Sequence, residues 1–232
     1  MRASPKLSKA GKMPCKSWSL PAWETCPGAR DSDGVAVEAC AHCYARQGHY
    51  RFGSVKALRE HNLEDWKRDD WTTAMVYLIR DDRYFRWFDS GDIHCVELAQ
   101  KIKEVIRRTP DTKHWLPTRS HKDKDVDKIL FHIAGLPNAV VRLSSDSVQG
   151  EVLPPTNYVL ANGRTLWGWI RNNSTIVQSP EDFDKDKHGI LCRAFQRDGK
   201  CGNCRACWSK KVTTVSYALH GQRIKEPTLQ EV

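Results

Sequence analysis

YFRWFDSGDIHCVELAQKIKEVIRRTPDTKHWLPTRSHKDKDVDKILFHIAGLPNAVVRLSSDS, residues 84–147, switches repeatedly between two periodicities. Tyr84–Phe88 is short and aromatic, as a strand is, and it ends in Asp89-Ser90-Gly91-Asp92. A helical period follows, with Cys95, Leu98, Ile102 and Val105 or Ile106 on one face, and stops before Pro110. Lys113–Thr118 reads as the next strand, ending in Arg119, Ser120 and His121. Asp123–Ile133 restores the helical period through Val126, Ile129, Leu130 and Ile133, and Gly135 then Pro137 end it. Ala139–Leu143 is a further strand, ending in Ser144-Ser145-Asp146-Ser147. A strand with a polar end, then a helix, repeated, predicts an α/β fold with a parallel sheet, helices outside it and polar groups gathered at one rim. Cys95 lies on the apolar stripe, so it is expected in the core rather than on a metal.

Outward from this unit the pattern thins. Met13–Ala22 gives a first strand, in which Pro14 and Pro21 limit pairing. Ser54 reads as the N-cap of a short helix over Val55–Glu60, and Asn62 as the cap of a second one carrying Leu63, Trp66, Met75, Val76 and Ile79. Residues 1–12 are small, polar and basic, and are expected to form a mobile arm. Downstream, Asn162-Gly163 between YVL and TLWGWI predicts a hairpin, Ser179–His188 a surface loop, and Ile190–Phe195 a last short strand. The expected organisation is a basic arm (1–12), one α/β domain (13–190) and a cysteine-rich C-terminal segment (191–232).

A chain of 232 residues is long enough for one domain with a proper core and short for two. The basic start has no apolar signal-peptide core, and no stretch approaches the roughly 18 apolar residues of a membrane span. The nine cysteines are therefore expected in an intracellular protein, where clustered thiols bind metal more often than they form disulfides. The net charge of +9 is concentrated at the ends: residues 1–16 carry +5 and residues 192–225 carry +7. Basic ends suit a nucleic acid or another polyanion, and they also offset the charge of thiolate-bound metal.

The cysteines fall into two groups. Cys26, Cys40 and Cys43 are spaced C-x13-C-x2-C in a loop, 26–43, just after the first strand. Three thiolates are one short of a closed zinc site, but on a cubane cluster they leave one iron open. Cys15, His42 and His49 are nearby residues able to complete the site. Cys192, Cys201, Cys204 and Cys207 are spaced C-x8-C-x2-C-x2-C, a ferredoxin-like arrangement that favours a [4Fe-4S] cluster, with zinc as the alternative.

A three-cysteine loop after the first strand of an α/β sheet resembles the radical S-adenosylmethionine enzymes. In that superfamily three cysteines hold a [4Fe-4S] cluster, S-adenosylmethionine chelates the open iron, and one electron cleaves it to a deoxyadenosyl radical. The final C-x2-C is the usual pair, whereas the first gap is thirteen residues here instead of three. Ser90-Gly91-Asp92 is similar in place to the superfamily's Gly-Gly-Glu motif, and the resemblance implies that it receives the S-adenosylmethionine amino group, with Ser144, Ser145 and Asp146 near the ribose or carboxylate. At closer range MPCKSWSLPAWETCPG, CAHCYARQGHYRF, RWFDSGD, WLPTRS, VVRLSSDS and GKCGNCRACW resemble the phage gene product 88 family, which implies a viral origin and a host-cytoplasm location.

These readings converge on a partial (β/α) barrel of radical S-adenosylmethionine type with a C-terminal cysteine-cluster extension. Cys26, Cys40 and Cys43 are expected to hold the catalytic cluster, fed by an electron donor, and the C-terminal four an auxiliary cluster. Arg119, His121 and Arg142, at or near strand ends, are candidate substrate contacts. The rival expectations are a non-catalytic iron-sulfur or zinc protein that binds nucleic acid, with Trp167, Trp169 and Trp208 as stacking platforms, and a structural protein stapled by metal.

Overall fold

A computed structural model describes residues 4–9, 11–154, 156–159, 165–170 and 172–220. The chain begins with strand β1 (Lys16–Trp18), helices α1 (Glu38–Ala41), α2 (Gly53–Asp65) and α3 (Trp71–Ile79), and strand β2 (Tyr84–Trp87). Helix α4 (Val96–Arg108), β3 (Lys113–Thr118), α5 (Lys124–Gly135) and β4 (Ala139–Ser144) follow. Beyond them lie β5 (Thr156–Val159), β6 (Thr165–Ile170), β7 (Asn173–Val177), α6 (Lys185–His188), β8 (Ile190–Leu191) and β9 (Thr214–Ala218). Strands β5 and β6 form the expected antiparallel hairpin, whose turn falls outside the described residues.

The other seven strands form one sheet in the order β1-β2-β3-β4-β7-β9-β8, and every pairing in it is parallel. Parallel neighbours need long crossovers, and four successive strands laid side by side with crossovers of one hand send their helices to one face. On that face Trp18, Phe85, Trp87, Leu116, Val141 and Leu143 of the strands pack with Trp71, Met75 and Ile79 of α3, Leu98, Ile102 and Ile106 of α4, and Val126, Leu130 and Ile133 of α5. Tyr84 and Trp115 alternate with these residues and face the other way, into a smaller cluster with Met13, Cys15, Cys207 and Trp208. One face of the sheet thus belongs to the helices, and the other carries cysteine-bearing segments.

His114 is a polar point within the helix-side core. It has no exposed surface; Trp87 donates to its Nδ1 at 3.2 Å, and Thr109 Oγ1 lies 2.9 Å from its Nε2. Burial lowers its pKa to about 3. A base depressed in the folded state is protonated only in the unfolded chain between pH 6.5 and about 3, so stability falls as pH drops through that window. Going from pH 7 to pH 5 therefore costs about 2 kcal/mol from this residue alone. Urea unfolding of the parent and of His114→Phe at the two pH values tests this: the variant loses that increment.

Several boundaries differ from the sequence expectation. The described part of the arm is tied to the body of the domain: Ser8 and Ser17 exchange two backbone hydrogen bonds of 2.8 Å, and Asn62 grips Lys6 through both its amide atoms. Asn62 caps nothing. It lies inside α2, and its Nδ2 also donates to Ser19 O at 3.0 Å. Helix α4 starts after Cys95, which packs at the edge of the main core as expected. Asp123 is the N-cap of α5, accepting from the backbone of Asp125 and Val126. The C-terminal segment is not an appendage, because β9 inserts between β7 and β8. The 190/191 boundary falls within β8.

Candidate metal centre

The carboxyl ends of β1 to β4 form a rim, and the loop bearing the first three cysteines is fastened to it. Asp92 N donates to Thr25 O at 3.1 Å, joining the end of β2 to the start of the loop. Gly28 presses on the end of β3: a Cβ there would stand 2.5 Å from Arg119 O, and Lys122 donates to Gly28 O at 3.2 Å. Helix α1, which carries Cys40, docks on the end of β4 through Ala39 N to Asp146 O at 2.8 Å, while Glu38 accepts from Val148 N at 3.0 Å. Beyond Cys43, the Tyr44 hydroxyl donates to Asp89 O at 2.7 Å and accepts from Arg86 at 3.1 Å.

This fastening places Cys26, Cys40 and Cys43 within electrostatic reach of one another. Burial, followed by the carboxylate of Asp92, pushes the Cys26 thiol up to about 12, and the charges of Cys40 and Cys43 add to the effect. Burial likewise raises Cys40 and Cys43, against the opposing charge of Arg119 near both and Arg46 near Cys43. Thiols raised in this way are protonated at neutral pH and are poor nucleophiles; a metal that supplies positive charge would deprotonate them. Among the described residues no three His, Cys, Asp or Glu converge closely enough to hold a single metal ion. His42 faces the charge of Glu38, and His49 meets Phe52 edge-on at 5.0 Å.

The Ser90-Gly91-Asp92 turn ties strand ends together. Ser90 Oγ donates to Leu20 O at 2.7 Å. Gly91 has φ +72°, and a Cβ on it would lie 2.6 Å from Leu20 Cβ, so this position needs glycine for the protein's own packing. Asp92, buried, accepts from Thr118 Oγ1, Arg119 N and Ile93 N, each at 2.8 Å. It is not the N-cap of α4, and three of its four or so lone-pair sites are filled from within the chain. Arg119 hydrogen-bonds Ser145 O and faces Asp146 at 3.4 Å; Lys122 also pairs with Asp146. Ser144 lies 3.1 Å from the Ser174 hydroxyl. His121 is partly buried, and burial lowers its pKa.

The second cysteine group lies on the sheet face opposite the helices. Cys192 follows β8 and donates from its backbone to Ser216 O at 2.8 Å; Cys201 donates to Lys12 O at 3.0 Å. Cys192, Cys201 and Cys204 lie within electrostatic reach of one another, and Cys207 within reach of Cys192. Burial pushes Cys207 up to about 11, and its sulfur is 3.4 Å from the Tyr217 hydroxyl. Cys15, a candidate for the first group, instead senses Cys201. Arg142 is not a substrate contact. It has no exposed surface, and its guanidinium donates to the carbonyls of Ala206, Cys207, Ser209, Val212, Asn173 and Thr213.

The family model for gene product 88 matches residues 1–210. The chain belongs to the gene product 88 family. No curated protein and no solved structure matches it. In this gene product 88 chain the matched span includes both cysteine groups and the rim of strand ends that carries the first.

Two further features bear on function. No helix among the described residues is long and apolar enough to cross a membrane. Trp208 is unsuited to base stacking, because it is buried, meets Trp115 edge-on at 5.2 Å and donates to Phe85 O at 2.9 Å. The side chains of Trp167 and Trp169 lie outside the described residues. Sequence reasoning missed Arg86. Besides Tyr44 it reaches Met13 Sδ at 3.2 Å and stacks over Trp115 at 4.6 Å, and its charge favours the thiolates of Cys15, Cys201 and Cys207. It thus links the residue after Cys43 to the second group. Its one sequence signal is a charge at an alternate position of an otherwise aromatic strand.

Proposed function

We propose that this is an iron-sulfur protein of radical S-adenosylmethionine type, its parallel sheet serving as a partial barrel. Cys26, Cys40 and Cys43 would hold a [4Fe-4S] cluster with one open iron. What supports this reading is that one loop carrying three thiols is fastened to the carboxyl rim of a parallel sheet, where cofactor sites of α/β folds lie. Loaded with S-adenosylmethionine and an electron, such a site supplies reductive cleavage of the sulfonium.

The chain's own residues have separable tasks in this reading. Arg119 offsets the negative charge of the Cys40 and Cys43 thiolates. Asp92 fixes the ends of β2 and β3 around the loop. Ser144 and Asp146 remain as polar groups on the rim for a bound ligand's hydroxyls or ammonium. Cys192, Cys201, Cys204 and Cys207 would hold a second [4Fe-4S] cluster, or zinc, on the adjoining face, and Arg86 lies between the two groups. The host cytoplasm supplies the reducing surroundings and electron donor that this chemistry needs.

Titration of S-adenosylmethionine into anaerobically reconstituted, reduced protein tests the reading. The expected result is a changed electron paramagnetic resonance spectrum that disappears in Cys26→Ser. A reconstituted cluster whose spectrum ignores S-adenosylmethionine would leave an iron-sulfur protein and remove the radical assignment.

A further inference from the structure

Beside the cysteine loop lies a cavity of about 310 Å³ whose lining includes Arg46, Tyr50, Arg51, Lys56, Arg59 and Glu60. Four cations therefore face one acid. None of the four makes an ion pair among the described residues. Arg59 is the telling one. It is 6 % exposed, its Nε has no hydrogen-bond partner, and its guanidinium rests on the ring of Tyr50 at 4.5 Å. A buried guanidinium without a counter-charge is unfavourable unless an anion completes it.

We propose that this cavity binds a terminal phosphate group, carried by a nucleotide or by the end of a nucleic-acid strand. Guanidinium forks match phosphate oxygens in pairs, and a lysine adds a point charge. The volume sits at the lower end of the ~300–1,000 Å³ typical of small-molecule sites, enough for a phosphate and its sugar but not for a duplex. Trp23 helps to set the geometry, with the guanidinium of Arg46 4.4 Å and that of Arg30 4.0 Å from its ring. Arg46 is also the third residue after Cys43 and its charge reaches that thiol, so a phosphate held here lies next to the candidate metal loop. The inference stands on the cavity and needs neither iron nor S-adenosylmethionine.

Calorimetric titration of the full chain with inorganic pyrophosphate and with adenosine 5′-monophosphate is the test, alongside a short DNA strand with and without a 5′-phosphate. Saturable binding of either small anion is expected. Arg51→Gln/Lys56→Gln, at two exposed positions, is expected to weaken it at least about tenfold, the scale of losing a charge-assisted hydrogen bond. Arg59→Lys keeps the charge but not the fork and is expected to do the same without lowering the melting temperature. Binding of only the 5′-phosphorylated strand assigns the site to a nucleic-acid end; binding of the monophosphate assigns it to a nucleotide. If no phosphate probe binds saturably, or if both variants bind like the parent, the proposal is wrong. That failure would leave the cluster reading standing, since iron content plays no part in the measurement.

Discussion

Cys40→Ser, purified without oxygen and reconstituted beside the parent, is expected to hold about four irons per chain where the parent holds about eight, and to lose its response to S-adenosylmethionine. Cys201→Ser is expected to lose the other four irons and keep that response. The asymmetry follows from where the thiols sit: Cys40 belongs to the loop fastened across the ends of β2, β3 and β4, and Cys201 to the opposite-face segment beside Cys15. Neither substitution removes core volume, because both side chains are only partly buried, so secondary structure should persist in each. If Cys40→Ser retained the parent's iron and sulfide, the three-thiol site would be wrong. Zinc without iron in the parent would turn the chain into a metal-stapled protein.

The central unit of the fold was legible because its helices obey one simple rule. In α4 and α5 the buried positions are apolar and recur at helical spacing, so Leu98, Ile102 and Ile106, or Val126, Leu130 and Ile133, mark the inner face directly. Helix α2 breaks the rule. Its buried positions include Arg59, Asn62 and Asp65, polar residues that rest on Tyr50, bond Lys6 and Ser19, and pair with Arg68, and the sequence expectation accordingly cut it in two at Asn62. Strands β7 and β9 were missed for a related reason. NSTIV and TVSYA bury Asn173, Ser174, Thr175, Thr214 and Ser216, so no run of large apolar residues announces them.

The candidate site was legible by residue type and not by arrangement. Cysteine spacing alone marked both groups, since few other roles need thiols at such intervals. What encloses them was hidden, because charges such as Arg86 and Arg142 on strands look like exposed surface until the sheet face they point to is known. The same limit applied to the Ser90-Gly91-Asp92 turn, whose glycine answers to Leu20 and Thr25, residues some seventy positions away in sequence.

Arg142→Met is expected to destabilise the fold around the second cysteine group. The side chain runs from β4 to a guanidinium with no exposed surface, which satisfies carbonyls on both sides of the turn between Trp208 and β9. Methionine fills much of the same volume but donates nothing, and each buried carbonyl left without a partner costs about 1–3 kcal/mol. The carbonyls of Ala206, Ser209, Val212 and Thr213 each keep a second hydrogen bond, so the loss falls chiefly on Cys207 O and is about 2 kcal/mol, or roughly 6 °C in melting temperature for a chain of this size. The damage should also be directional. Residues 206–213 carry Cys207 and lead into β9, so metal at the second group should be released by a chelator well before metal at the first, with Cys26, Cys40 and Cys43 loaded as in the parent. Arg142→Lys, which keeps a charge but presents its donors at one point, should recover less than half of the lost stability. A melting temperature within about 2 °C of the parent for Arg142→Met would mean that the turn holds itself, and that the buried guanidinium has another purpose.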